Sequence, residues 1–461
     1  MRHSLVFAAA ALSAVVSTAS AQPAAPAPAP AAQQTPTAGA QANPPAARPP
    51  LPNRLNDVLP GWFRVRGEFR QRMEGFDGLG FNAASEDLYH LSRVRLNATV
   101  ATGRHLSFQL QVQDARVAKK TVGSTGTPFK AAFDVRQGFA DIGNAQSRVA
   151  LRVGRQELAY GDQRLVGHLG WANAARTFDA ARLSVRGSKL QLDVFGASVV
   201  RILDGEFDRS GRGSRFAGAY AVAPSLVANG SLEPYVFWRR DRNVLAEAGS
   251  PGTLNLTTVG VRWVGRLPGN IEYNTDTTLQ TGSVAADDIS AWAGHYQLRS
   301  PAAGRAAFRV SSEFNYASGD ANPTDGTRGT FDQLYPTGHD KYGLADQVGW
   351  RNIRHARAGI ELTPFRGLPV IANYHSWWVN EKRDGLYNAG GALLARVAAG
   401  AASSHVGQEI DVQVTKAITP QFQVAAGYAH IFTGRFLKEA TPGASYSHPY
   451  VMATYVFLAE R

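Results

Sequence analysis

The sequence has no cysteine, which excludes disulfides, thiolate metal sites and cysteine nucleophiles. Charged residues are also scarce, at 18% against the ~25% that is usual in soluble domains. After the N-terminal segment, no stretch offers the ~20 continuous apolar residues that a membrane-spanning helix requires. These absences exclude a helical membrane protein, and the 46 glycines suit a β-rich chain with many tight turns.

Catalytic motifs are missing as well. The sequence contains no His-Glu-x-x-His, no Gly-x-Ser-x-Gly, no P-loop and no paired-glycine fingerprint. A barrel-embedded lipid deacylase or phospholipase would need a Ser/His pair that no motif supplies. The segment from Asp320 to Gly326 has the spacing of a calcium loop but lacks the later ligands, so we expect an Asx turn there. We therefore predict that the protein is not an enzyme, uses no cofactor and has no metal site.

Basic residues outnumber acidic ones, which gives a formal net charge of +12 and implies an anionic partner. The N-terminus narrows the choice of that partner. Arg2 and His3 precede an apolar run, and Ala19-Ser20-Ala21 forms a small-residue cleavage site. This pattern predicts a signal peptide over residues 1–21. Export argues against nucleic acid and leaves membrane lipid or a solute as partners.

The segment that follows the signal peptide, residues 22–60, is rich in Pro, Ala, Gln and Thr. Proline removes backbone donors and favours an extended polyproline conformation. We expect this segment to be a disordered periplasmic tether, with a spacer role favoured over a binding role.

From Trp62 onward the hydropathy pattern has a period of two. In Trp62–Met73 the even positions are Arg64, Arg66, Glu68, Arg70 and Arg72, whereas the odd positions are largely apolar. Successive side chains of a strand point to opposite faces, so one face is ionic and the other apolar. An Arg in contact with lipid costs about 2–4 kcal/mol at the bilayer midplane. The ionic face therefore has to look into a lumen.

The same pattern recurs in eighteen segments of about ten residues, long enough to cross a bilayer as tilted strands. Short connections are expected to alternate strictly with long ones along the chain, including a long one at 282–288, as in outer-membrane barrels. An even strand number places both termini on the periplasmic side. The predicted fold class is an all-β transmembrane antiparallel β-barrel of about 18 strands over residues 61–461, with a loop-constricted lumen. The predicted strand starts are near 62, 89, 105, 133, 147, 178, 189, 215, 231, 256, 270, 289, 305, 355, 369, 405, 421 and 448.

Arginines occupy many inward positions of these strands. A lumen lined with Arg would attract anions, since its planar fork matches carboxylate bidentately. The alternative is that lumen acids such as Glu68 and Asp193 pair with these arginines and simply neutralise the interior. The inward candidates are Arg64, Arg66, Arg70, Arg72, Arg93, Arg95, Arg152 and Arg182.

Two stretches of the sequence resemble a known family. The first runs Gly154-Arg155-Gln156, then Tyr160-Gly161-Asp162-Gln163-Arg164, then Arg176-Thr177-Phe178-Asp179-Ala180. The second runs Phe331-Asp332-Gln333-Leu334-Tyr335-Pro336, then His339, Tyr342-Gly343, Asp346 and Asn352-Ile353. Both are similar to the alginate-export family of outer-membrane proteins, and the likeness covers roughly residues 62–458.

The resemblance implies an eighteen-stranded barrel with an electropositive, loop-restricted pore that passes a polyuronate. On the matching positions, Arg155, Arg164, Arg176 and Arg182 would line or brace the constriction, and Asp162 and Asp179 would hold those arginines. We therefore predict a monomeric, passive outer-membrane channel for an anionic polysaccharide or a small anionic or sugar solute. The alternative is a general uptake porin for small organic acids or sugars on the same scaffold.

Overall fold

The computed structural model describes residues 54–144, 146–224, 226–227, 229–247 and 249–458. The predicted signal peptide and residues 22–53 of the predicted tether lie outside the described residues. None of the helices in the described ranges is long and apolar enough to cross a bilayer.

Eighteen antiparallel strands in the described part of the chain form a closed barrel, and each pairs with its neighbours in sequence. The barrel closes where the first strand pairs with the last, from Gly67 opposite Phe457 to Asp77 opposite Ser447. The fold class and the strand number predicted from the sequence are confirmed. The strands are β1 Phe63–Asp77, β2 Glu86–Ala101, β3 Leu106–Ala118, β4 Ala131–Ile142, β5 Val149–Gln156, β6 Phe178–Arg186, β7 Gln191–Arg201, β8 Ser214–Pro224, β9 Gly230–Leu245, β10 Pro251–Leu267, β11 Ile271–Val284, β12 Asp287–Arg299, β13 Arg309–Ala317, β14 Ile353–Phe365, β15 Leu368–Val379, β16 His405–Ala417, β17 Phe422–Thr433 and β18 Tyr446–Phe457.

Several short elements lie before the first strand or in the connections between strands. Helix α1 (Leu55–Val58) precedes β1, and helix α2 (Arg435–Ala440) lies between β17 and β18. A two-stranded hairpin, Gly385–Tyr387 with Leu393–Arg396, lies in the connection between β15 and β16. The remaining short elements are the 3-10 turns Leu79–Phe81 and Pro268–Asn270 and the two-residue strands Arg209–Ser210 and Thr327–Arg328.

Helix α1 shows that residues 54–60 belong to the barrel rather than to the tether. The Asn56 side chain donates to Val65 O at 2.6 Å and to Leu458 O at 2.8 Å, and it accepts from Val65 N at 2.9 Å. One polar side chain therefore links the start of β1 to the residue after β18. These bonds also place both ends of the barrel on its short-turn side.

The two faces of the strands follow the predicted alternation. Outward positions carry exposed apolar side chains such as Phe69, Leu279 and Val451, whereas Arg70, Arg72 and other charged residues face the interior and are buried. The largest fully buried side chains, among them Phe178, Phe331 and Trp350, also lie inside the barrel or in the loops that fill it. The lumen therefore contains a packed core.

The predicted strict alternation of short and long connections is wrong at two positions. Between β9 and β10, predicted to be long, the connection 246–250 has five residues, as many as the preceding short-side connection 225–229. Between β11 and β12, on the long-loop side, only residues 285 and 286 remain as a connection. The strands themselves extend into the predicted loop, and Ala285 makes the reversal with a φ of 52°. Long connections on this side of the barrel are concentrated instead at 157–177, 318–352 and 380–404.

Candidate functional site

Two long loops fold into the lumen and join there. We call residues 157–177 loop A and residues 318–352 loop B. Val166 of loop A and Tyr335 of loop B form a parallel bridge, in which Gly167 N donates to Tyr335 O and Tyr335 N donates to Leu165 O, both at 2.9 Å. Leu158 and Val166 are fully buried, as are several side chains of loop B. Backbone bonds between two loops and their shared core make a firm constriction.

A group of buried arginines on β1, β2 and β4 supports loop A. This arginine wall consists of Arg70, Arg72, Arg93, Arg95 and Arg136. Arg70 donates to the carbonyls of Gly170, Trp171 and Ala172 at 3.0–3.3 Å. Arg72 donates to Trp171 O at 2.7 Å, and Arg93 donates to Gly170 O and Ala172 O. Because a guanidinium offers five donors in a fixed fork, it can hold several loop carbonyls at once.

The arginine wall is only partly neutralised by carboxylates. Arg93 pairs with Glu68 at 2.6 Å, Arg72 pairs with Glu74 at 2.6 Å, and Arg136 pairs with Glu157 of loop A. Arg70 and Arg95 form no ion pair within the described ranges. Arg95 donates from Nε to Gln113 at 2.8 Å, and its buried Nη2 has no hydrogen-bond partner. Five guanidiniums thus face three carboxylates, which leaves this side of the lumen positive.

Loops A and B also meet through an aromatic stack next to the wall. The Trp171 and His339 rings are parallel within 5°, with centroids 3.9 Å apart. The Arg72 guanidinium lies 3.9 Å from the centroid of the same indole. His339 pairs with Asp346 at 2.8 Å, so a single tryptophan joins the wall to both loops.

Arg164 of loop A makes a second charged junction. It pairs with Asp162 at 2.9 Å and with Glu313 of β13 at 3.0 Å, and its side chain is 3% exposed. Burial by itself raises the pKa of the Asp162 carboxyl, but Arg164 acts together with Lys341, His295 and Arg262 to outweigh burial, and this pKa lies well below its usual range. Asp162 therefore stays ionised and anchors loop A to the barrel wall.

The other arginines singled out from the sequence occupy several environments. Arg152 faces inward and makes a bidentate pair with Asp141 at 2.7 and 2.9 Å. Arg182 faces inward 4.0 Å from Asp193. Both pairs fit the neutralising alternative.

Arg64, Arg66 and Arg176 lack carboxylate partners in the part of the chain that the structure describes. Arg64 donates to the carbonyls of Pro60 and Phe63, and Arg66 is exposed. Arg176 donates to Gly167 O and Pro336 O, so it bridges loops A and B. Burial lowers the pKa of the Arg176 guanidinium to about 10, which leaves it charged at neutral pH.

Arg155 and Asp179 do not line the lumen. They pair at 2.8 Å, but they share a face with Val153 and Ala181, which are exposed on the outside of the barrel. Strand alternation explains the placement, because residues two positions apart on a strand face the same side. Arg155 is two positions from Val153, and Asp179 is two positions from Ala181. The pair caps the outer rim, where Arg155 also donates to Asp208 O at 3.1 Å.

The sequence analysis missed several residues that hold the constriction. Asn173 donates from one amide nitrogen to the carbonyls of Ser92, Arg116 and Phe129, each at 3.0 Å. Arg136 of the arginine wall and its ion-pair partner Glu157 were also missed. Asn173 lies between Trp171 and Arg176, within the resembling stretch, but its acceptors come from β2, from β3 and from the connection before β4. Only the inward alternation of β4 could have pointed to Arg136.

An aromatic cluster lies on the inward face of β7 to β9. Tyr160 of loop A stacks on Phe195 and Tyr220 with ring centroids 5.4 and 5.1 Å apart. Phe216 and Phe237 are buried beside them. These rings therefore fill the part of the lumen next to Tyr160 of loop A.

Comparison with known proteins identifies a family and several solved structures that are similar to this chain. A family model described as alginate export matches residues 61–451. No curated protein matches the chain.

Several solved structures share the fold. OpdO of Pseudomonas aeruginosa has a TM-score of 0.57 and 13% identity, with 87% of this chain and 99% of that chain covered. OccAB4 of Acinetobacter baumannii has a TM-score of 0.58 and 10% identity, with coverage of 85% and 98%. OpdK of Pseudomonas aeruginosa, solved with vanillate, has a TM-score of 0.56 and 11% identity, with coverage of 85% and 98%. At these identities the likeness is one of fold.

Proposed function

This chain belongs to the alginate-export family of outer-membrane channel proteins, and from that membership we propose that it passes an anionic or carbohydrate solute. The cargo is a polyuronate or a smaller anionic or sugar solute, and passage is passive. The observation that carries the proposal is the arginine wall beside the constriction, where five guanidiniums face three carboxylates.

The position of the wall explains how it would act. Charges in a narrow passage with low-dielectric walls interact with a solute more strongly than the same charges in bulk water. Arg70 and Arg93 turn their donors toward loop carbonyls, so they shape the passage and contribute their field without binding the solute tightly. Weak attraction of this kind lets an anion enter and leave.

A second candidate, a general uptake porin for small organic acids or sugars, is favoured by how firmly the lumen is filled. Loops A and B are bonded to each other through their backbones, and aromatic rings occupy the side along β7 to β9. A passage restricted in this way suits a small solute better than a long polymer.

Three further features belong to the same proposal. The protein works as a monomeric barrel without catalytic activity. Residues 1–21 direct export, and residues 22–53 form a periplasmic tether. Both termini are periplasmic, so the long loops face outward, which agrees with the even strand number and with the bond from Asn56 to Leu458 O.

Ion selectivity tests the proposal. The reversal potential is measured across a planar bilayer under a salt gradient for the parent and for an Arg66→Gln/Arg95→Gln double variant. Neither side chain hydrogen-bonds to loop A, so removing both charges leaves the loop in place. We expect the parent to prefer anions and the variant to lose most of that preference.

Arg116→Gln/Arg155→Gln is the matched control, because it removes two positive charges from outward positions and should leave selectivity unchanged. A cation-selective parent, or equal shifts in variant and control, would refute anion selection by the wall. Block of the current by oligouronates rather than by monomeric carboxylates then separates a polymer channel from a small-solute porin.

A further inference from the structure

A chain of buried polar side chains crosses the inward face of β12 to β16. His295 Nδ1 lies 2.8 Å from Asn315 Oδ1, and Asn315 Nδ2 lies 2.8 Å from His355 Nδ1. His355 Nε2 lies 2.9 Å from His375 Nδ1, and the two rings are parallel within 5°. All four residues are 0% exposed. The chain fixes His375 so that its Nε2 points away from His355.

His375 Nε2 points toward two carboxylates on the adjacent strand. Glu409 and Asp411 are two residues apart on β16, share its inward face, and are 1% and 2% exposed. One ligand atom from each of His375, Glu409 and Asp411 lies within 4.8 Å of the others. His375 Nε2 is 2.9 Å from Asp411 Oδ2.

One oxygen of each carboxylate already accepts hydrogen bonds. Glu409 Oε1 accepts from Leu344 N at 2.6 Å and from Ala345 N at 3.3 Å, both in loop B. Asp411 Oδ1 accepts from Asn373 Nδ2 at 3.0 Å. Gly343 makes the close approach of loop B possible, since a Cβ there would lie 2.9 Å from both Glu409 oxygens. The other two oxygens converge with the imidazole.

The three atoms His375 Nε2, Glu409 Oε2 and Asp411 Oδ2 are buried, and none of them makes a well-aligned hydrogen bond, although the first and the last lie 2.9 Å apart. Within the described residues, neither Glu409 nor Asp411 pairs with Arg or Lys, whereas the nearby Glu313 pairs with both Arg164 and Arg357. Two adjacent buried carboxylates without a cation are costly, because each buried charge needs a partner.

We propose that His375, Glu409 and Asp411 bind one divalent transition-metal ion. The donor set of one imidazole nitrogen and two carboxylate oxygens suits Zn²⁺ and related ions better than Ca²⁺ or Mg²⁺, which prefer oxygen alone. Since Glu409 also accepts from loop B, the ion would tie β15, β16 and the constriction loop together. The site is independent of which solute the channel passes.

Metal content of the purified barrel tests the site. The protein in detergent is stripped with a chelator, incubated with Zn²⁺, freed of excess ion and analysed by elemental mass spectrometry. We expect about one Zn²⁺ per chain in the parent and none in Glu409→Gln or His375→Gln. Heat-modifiable mobility on gels confirms that each variant is folded.

Asp276→Asn is the matched control. Asp276 is a buried inward carboxylate, but its Oδ1 accepts from the Tyr235 hydroxyl at 2.6 Å, so its loss should leave Zn²⁺ binding intact. The thermal midpoint should rise with Zn²⁺ in the parent and in this control only. A parent that retains no Zn²⁺ would overturn the proposal. Equal binding by parent and Glu409→Gln would also overturn it.

Discussion

At the scale of single residues, Arg164 pairs with carboxylates from two different elements. It is the shared partner of Asp162 in loop A and Glu313 in β13, and the Glu313 side chain is 0% exposed. Removing Arg164 leaves the Asp162 carboxylate without its ion-pair partner, whereas Glu313 keeps Arg357. Arg164→Ala should therefore lower the free energy of unfolding by about 3 kcal/mol, the lower end of the range for a broken buried pair.

Urea unfolding in detergent micelles measures this change. Arg116→Ala is the control, since Arg116 pairs with Asp114 at the surface with 59% of its side chain exposed, and it should cause no measurable change. Similar losses in both variants would mean that the Arg164 junction contributes no more than a surface pair.

The ion pairs also show what local sequence can predict. The pairing of Arg164 with Asp162, two residues away, follows from their proximity in the motif. Glu313 could not be identified, because it comes from another element 149 residues away. The outward direction of Arg155 was available from the sequence, since strand parity ties it to the apolar Val153.

At the scale of elements, His339 couples loop B to loop A. Burial by itself lowers the pKa of the His339 imidazole, but Asp346 outweighs burial, with help from Asp340 and against Arg72, so the pKa lies above its usual value. A raised pKa means that the folded protein binds the proton more tightly than the unfolded chain does. The stabilisation is complete below about pH 6.5 and is lost as the pH rises through the folded pKa.

The free energy of unfolding should therefore fall in the parent as the pH rises above about 6.5, and this fall should be smaller in His339→Gln. His105→Gln, an exposed turn histidine, should behave as the parent does. Urea titrations at several pH values give the comparison. An unaltered pH profile in His339→Gln would contradict a stabilising His339–Asp346 pair.

Strands were easier to predict than the contacts of the loops. The eighteen predicted starts all fall within five residues of the observed ones, because inward and outward side chains meet water-filled and lipid surroundings in strict alternation. The bridge between Val166 and Tyr335 has no such periodic signal. The bridge depends on how two irregular segments pack inside the closed barrel. The hydropathy pattern of either segment alone does not indicate that it contacts the other.

At the scale of the whole molecule, the boundary between tether and barrel can be tested by deletion. Residues 22–53 have no apolar periodicity, so their removal should leave insertion of the barrel into detergent or bilayer unchanged. Asn56→Ala should be more harmful, because it removes the bonds to Val65 and Leu458. Heat-modifiable mobility after refolding reports both results, and failure of the deletion variant to insert would contradict a dispensable tether.

The pairing of β1 with β18 dictates when the barrel can be completed during folding. Every other pair of neighbouring strands is consecutive in the chain, so each hairpin can form once both of its strands are available. Gly67 has to wait for Phe457, whose ring lies so close that a Cβ at Gly67 would clash with it. Until then the hydrogen-bonding edge of β1 is open, and an open edge invites pairing with a strand of another chain. Loss of β18 alone would thus turn a closed barrel into a sheet with two unpaired edges.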